Sequence, residues 1–216
     1  MRTPFSSTNQ AFSNAAHEAA KSLVYPDLFN CDPCDITFDT TSVADGGQNA
    51  ILDGQMAVDR LVHVTAKKLS GKITHTIQER FRRERYSSFR DITITEYNHA
   101  SGQQSELYKI KSGIFVYGYF FADREQFGEV IAVDVSRLLM AISEERIRFK
   151  KEDNRRSQQT FITLKFDDLH DSNVVVWHRG NLSVEGRYAK KPMTPRRDPS
   201  RPSSRQTTFA FDRQTP

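Results

Sequence analysis

Long apolar runs are the first thing this 216-residue chain lacks. No segment approaches the ~18–20 consecutive apolar residues that a helix needs to cross a bilayer. The N-terminal stretch, Met1 to Gln10, carries one charged side chain and no apolar h-region, which argues against a secretory signal. An intracellular, cytoplasmic protein is the expectation. Cysteine is almost absent. Cys31 and Cys34 form a single CxxC around Asp32-Pro33. No second CxxC, no nearby His pair and no thioredoxin-like helix accompanies it, so two loop thiols in a reducing compartment are expected rather than a redox pair or half of a zinc site. Internal repeats are also missing.

What is present can support one core. Hydrophobic residues make up 37% and aromatics 11% of the chain, enough for a domain of roughly 190 residues, within the usual size range. The net charge is +4 and the pI about 9.1, a mild bias toward polyanions.

Residues 10–24 predict a helix with Phe12, Ala16, Ala19 and Leu23 on one face, ended by Pro26. Residues 30–47 read as a loop or short edge element, and residues 49–56 as either a strand or a short helix. A hairpin follows. Residues 57–67 alternate through Val58, Val62 and Val64, Ser70-Gly71 offers a two-residue turn, and residues 73–81 return through Ile73, Ile77 and Phe81. Pairing Leu69 with Lys72 puts Asp59 opposite Arg82, Leu61 opposite Arg80 and His63 opposite Gln78, all on one face. Further on, a strand over 91–97 and a helical turn through Glu106 and Tyr108 are expected. Two buried strands come next, over 114–121 and 130–135. A helix opening at Ser136 and running through Leu138, Leu139, Ile142 and Phe149 follows, then strands over 160–166 and 174–177. From Ala189 the composition changes. Five of the eight prolines lie there with Lys190, Lys191, Arg196, Arg197, Arg201 and Arg205, which predicts a disordered basic tail over residues 189–216 after a domain of residues 1–188. The tail is open to three readings: contact with nucleic acid, a solvated terminus, or docking of a protein partner through Phe209 and Phe211.

The hairpin carries the candidate chemistry. Asp59 starts a strand between apolar neighbours, where an acid is costly unless it is paired or holds a metal. The triplet Gln78-Glu79-Arg80 lies on the return strand. Gln78 can offer a carbonyl oxygen to a metal. Arg80 cannot act as a base but can hold a phosphate oxygen or transition-state charge. Metal-assisted phosphodiester hydrolysis needs this set of parts: hard oxygen ligands for Mg²⁺ or Mn²⁺, and a cation beside the phosphorus. Glu79 points to the opposite face in this register, toward a basic residue of a covering helix; in an alternative register it is itself a metal ligand. Asp45, Asp53, Glu96, Glu18 and Asp134 compete as acids, and His63 sits on the candidate face. Directly after the triplet, Arg82, Arg83, Arg85 and Arg90 interleave with Phe81, Tyr86 and Phe89. Arginines can neutralise phosphates while rings stack on bases, so this stretch reads as a nucleic-acid-binding loop or as a solvated basic loop.

Asp59 within Ala-Val-Asp-Arg-Leu-Val, followed by Gln78 and Arg80, resembles the PD-(D/E)XK nuclease superfamily over residues 45–135. Asp59 matches the first metal-binding acid, Gln78 the second acid position and Arg80 the lysine position. The resemblance implies an α/β, restriction-endonuclease-like fold, a mixed central sheet flanked by helices. It implies Mg²⁺-dependent or Mn²⁺-dependent DNA cleavage, resolvase-like enzymes and dimers included. Gln for an acid and Arg for Lys depart from the pattern, so a nuclease-fold module that binds nucleic acid or a protein partner without cutting stands beside the enzyme. An assembly protein of a phage or defence system is the third reading.

Overall fold

Amphipathic spacing gives helix α1 (Ser7–Leu23), whose Ala16 and Ala20 are fully buried. The structure is a computed structural model that describes residues 7–41, 52, 55–66, 71–155 and 157–180. Asp45, Asp53, the Ser70 side of the expected turn and the basic tail lie outside them. Pro26 does not end α1 but sits in the first turn of a second helix, α2 (Tyr25–Phe29), where its missing N–H has no bond to lose. A 3₁₀ turn (Pro33–Asp35) leads into the edge strand β1 (Ile36–Thr40).

Strands β2 (Arg60–Ala66) and β3 (Gly71–Arg83) form the expected antiparallel pair. The register differs from expectation. Ala66 pairs with Gly71, His63 with Thr74, Leu61 with Thr76 and Arg60 with Ile77. Gly71, expected in the turn, is instead the first residue of β3, and every pair is displaced by four positions. An even displacement keeps the pleat in phase. Gln78, Arg80 and Arg82 therefore still share one face, and Glu79 still points to the other. Asp59 now stands one position beyond the Arg60–Ile77 pair, level with Gln78 rather than Arg82.

After a second 3₁₀ turn (Glu84–Phe89) come β4 (Asp91–Asn98), the two-residue β5 (Gln103–Gln104) and α3 (Glu106–Lys109). Buried strands β6 (Ile114–Phe121) and β7 (Gln126–Asp134) precede helix α4 (Val135–Ser143). Its N-cap is Asp134, whose side chain accepts from the Arg137 N–H at 2.9 Å; Ser136 already lies inside the helix, and the helix stops well short of Phe149. Then follow β8 (Lys150–Asn154), β9 (Gln159–Lys165), α5 (Phe166–Asp171) and β10 (Val175–Arg179).

The architecture is mixed α/β with a mixed central sheet of order β1-β2-β3-β6-β7-β10, in which β3 and β6 run parallel. A parallel pair needs a long crossover. Here the crossover, with β8 and β9, builds a second antiparallel sheet of order β5-β4-β9-β8. The sequence reading had one sheet; the second was hidden because β8 reads KKEDN and every residue of it is exposed.

Two cores result. Phe115, Tyr117 and Tyr119 of β6 join Ile92, Ile94, Ile162 and Leu164 of the second sheet, with Leu138 of α4 and Phe166 of α5. On the opposite face, Val62, Ile77, Val116 and Phe120 pack under α1 and α2. Among the described residues no helix is long and apolar enough to cross a membrane.

Gly118 sits mid-strand in β6, where a Cβ would lie 2.9 Å from Val130 Cγ2 and 3.1 Å from the Glu129 carbonyl oxygen. Gly118→Ala should lower stability by about 1–3 kcal/mol through overpacking, read as an earlier urea midpoint. An unchanged midpoint would contradict this packing.

Candidate functional site

Strand β3 changes neighbours along its length. Residues 71–77 pair with β2 and residues 77–83 with β6. Beyond Ile77 the β2 side has lost its strand, and a backbone N–H left there would be costly if buried. Asp59 supplies the acceptor. Its Oδ2 takes the Glu79 N–H at 2.8 Å, while its own N–H donates to the Ile77 carbonyl at 2.9 Å. The half-buried Asp59 carboxylate thus continues the ladder where β2 stops.

Glu79 is buried in the α1-facing core. His17 Nδ1 of α1 lies 2.5 Å from its Oε2, Arg60 Nε donates to the same oxygen at 3.1 Å, and the Tyr25 hydroxyl donates to Oε1. Burial alone pushes the Glu79 carboxyl upward. The His17 hydrogen bond, the Arg60 charge and the Tyr25 hydroxyl outweigh it and hold Glu79 below the usual carboxylate range. Burial, then the Glu79 charge, pushes Tyr25 well above the ordinary phenol, so it remains a donor. Burial works against the Arg60 charge, and Glu79 more than offsets it. The basic partner expected for Glu79 from a covering helix is His17; Arg60 comes from the neighbouring strand.

Gln78 and Arg80 face the second sheet, where Glu106 of α3 joins them. Gln78 Nε2 donates to Glu106 Oε1 at 3.2 Å; Arg80 Nη2 and the Thr95 N–H donate to Oε2, the latter at 3.2 Å. Arg80 Nη1 donates to the Thr93 carbonyl at 2.9 Å. Gln78 is 7% exposed, and its Oε1 has no hydrogen-bond partner among the described residues; Arg60 Nη1 and Ser112 Oγ are the other buried atoms in that position.

The basic stretch divides by partner. Arg82 Nη1 donates to Asp91 Oδ1 at 3.1 Å, and Arg90 donates to Glu129 at 3.0 Å. Among the described residues no ion pair involves Arg83 or Arg85. Arg83 donates to the Thr8 carbonyl and Asn9 Oδ1 and lies over Phe12; Arg85 lies over the Tyr86 ring. The competing acids are elsewhere. Glu96 is held by Lys151 at 2.6 Å, Glu18 pairs with Lys21, and His63 bridges Thr74 and Asp39. In the first 3₁₀ turn, donor atoms of Asp32, Cys34 and Asp35 lie within 4.8 Å of one another, close enough to hold a metal ion.

Sequence reasoning missed Glu106, Arg60, His17 and Tyr25 as partners of the triplet. Glu106 had been read only as part of a helical turn, and no local spacing connects it to residues 26 and 28 positions away. Compared with known proteins, the chain matches no family model, no curated protein and no solved structure.

Breaking the Glu79 network should be costly. Glu79→Ala leaves Arg60 buried and unpaired and should lower stability by about 3–5 kcal/mol, while Glu79→Leu with Arg60→Met should recover much of the loss; urea unfolding of the three proteins checks both. A second prediction concerns acid. His170 Nε2 lies 3.0 Å from His178 Nδ1, and His178 Nε2 lies 3.0 Å from Glu129. Burial, then the neighbouring His178, lowers the His170 pKa below its ordinary value. The unfolded chain therefore takes up that proton first, and stability should fall as pH drops below roughly 6.5, levelling once the folded pKa is passed. Thermal melts between pH 7.5 and pH 5 should show this slope, and His170→Gln should flatten it.

Proposed function

We propose that this chain is a nucleic-acid-binding module on a nuclease-like sheet, and that its residues at the nuclease-type positions hold the fold together instead of cutting. One observation carries the reading. Glu106 binds Gln78 and Arg80 at once, while Asp59 caps the Glu79 N–H. A Mg²⁺ site wants several anionic oxygens free to converge. Here Gln78 is neutral and largely buried, the Glu106 charge is matched by Arg80, and Glu79 points to the opposite face. These residues do not fit a Mg²⁺ or Mn²⁺ centre, although the unpartnered Gln78 Oε1 is a donor of the right kind.

Charge supports binding. Residues 189–216 contain seven Lys and Arg against two Asp, a net +5, so the preceding 188 residues are net −1. The excess positive charge of the chain belongs to its C-terminal segment. Arg83 and Arg85 stand without a carboxylate partner among the described residues, and a phosphate would be a counter-charge for them.

Binding of labelled DNA followed by fluorescence anisotropy tests this reading. Affinity should fall steeply with salt. Arg85→Gln should reduce the slope of log affinity against log salt by about 1, and neutralising Arg196, Arg197, Arg201 and Arg205 to Gln should reduce it further. Incubation with branched, single-stranded and duplex DNA in Mg²⁺ or Mn²⁺ should leave the DNA intact. Metal-dependent cleavage that disappears in Asp59→Ala would overturn the reading in favour of a nuclease.

A further inference from the structure

Five of the six cation–π contacts among the described residues gather at one end of the central sheet. Arg82 lies 4.3 Å from the Tyr86 ring centre and 6.0 Å from that of Phe89, and Arg85 lies 4.9 Å from Tyr86. Arg83 lies 4.3 Å from Phe12, and Arg124 lies 5.6 Å from Phe121. This gathering of cations over rings calls for a reason. Packing alone is an insufficient one, because Phe89 is 52% exposed.

The turn that carries these rings is fixed from behind. Asp91 at 3.1 Å and the Tyr117 hydroxyl at 3.4 Å anchor Arg82 beneath Tyr86. Lys165 Nζ donates to the Phe89 carbonyl at 2.7 Å and also reaches Asp91. Arg90 closes the turn in the left-handed region, φ 44°, with its N–H on the Ser87 carbonyl. Tyr86 and Phe89 are near-parallel, 27° apart with centres 6.4 Å from each other. The result is an exposed ring held in place on the turn that carries Arg85, which has no carboxylate partner among the described residues.

We propose that the Glu84–Phe89 turn is a stacking platform for single-stranded nucleic acid, with an unpaired base on the exposed Phe89 ring and a phosphate on Arg85. This rests on the nucleic-acid-binding reading and names the form of nucleic acid that this surface takes. Duplex bases turn their faces to each other and offer a protruding ring nothing to stack on, whereas unpaired bases present a π-face whatever their sequence. Arg85 lies over the Tyr86 ring, so its guanidinium is held on the same turn as Phe89 and less is lost in ordering it on contact. An acidic peptide would satisfy the arginines but would leave Phe89 without a role.

Anisotropy titrations of the full chain separate these occupants. Probes are a 20-nucleotide oligothymidine, a duplex of equal length, an abasic strand of equal charge, and polyglutamate as competitor. The wild-type chain should bind oligothymidine more tightly than duplex or abasic strand. Phe89→Leu keeps an apolar side chain at an exposed position and should weaken oligothymidine binding by at least about fivefold, leaving duplex affinity unchanged. Equal affinity for oligothymidine and the abasic strand, with no effect of Phe89→Leu, would overturn the platform and leave electrostatic nucleic-acid binding standing. Competition by polyglutamate at matched charge, with no preference for bases, would point to an acidic protein partner and overturn it as well. Absence of any salt-sensitive binding to the three nucleic-acid probes would overturn both the platform and the reading beneath it.

Discussion

A carboxylate buried under a helix is the constraint on which much of this structure depends. Glu79 sits in the α1-facing core, and a bare charge there would be expensive. His17, Tyr25 and Arg60 meet it from α1, α2 and β2. Its own backbone N–H is taken by Asp59. One residue of β3 thus fixes the entry of two helices and the end of a neighbouring strand. A hydrophobic residue could fill the same volume, but it would not specify which turn of α1 lies over which position of β3.

The neighbours of Glu79 in sequence serve the other face. Gln78 and Arg80 reach Glu106, and Glu106 also takes the Thr95 N–H, so the start of α3 and a strand of the second sheet are tied to β3. The parallel β3–β6 pairing depends on the crossover between them being held in place, and this cluster sits inside that crossover. The same triplet that, by its spacing, reads as a phosphodiester site is occupied with joining layers. Groups that hold a fold through charge-assisted bonds are poorly placed to exchange those bonds for a substrate and a metal.

The sequence disclosed what periodicity encodes. Helix α1, the hairpin and the aromatic strand β6 follow from local patterns, and the division of Gln78, Glu79 and Arg80 between two faces follows from the pleat. The hairpin register was displaced because the valines alternate equally well at either setting, and Gly71, read as a turn residue, belongs to the strand. The second sheet escaped notice because β8 is an edge strand with no apolar face to betray it. Glu106, Arg60 and Tyr25 could not be assigned as partners of the triplet, since those contacts span 19 to 54 residues and no local rule brings them together. The basic stretch was legible as a whole. Which of its arginines are neutralised was not, because Asp91 and Glu129 reach them only in the folded state.

The central claim is that the Asp59, Gln78 and Arg80 positions serve the fold and do not gather a metal. A paramagnetic titration reaches it most directly. Substoichiometric Mn²⁺ added to the ¹⁵N-labelled chain should leave the amide signals of Asp59, Gln78, Glu79 and Arg80 sharp relative to those of the Asp32–Asp35 turn, whose clustered carboxylate and thiol donors serve as an internal comparison. Selective broadening at residues 59 and 78–80, ahead of the rest of the protein, would contradict the account and restore those residues to a metal centre.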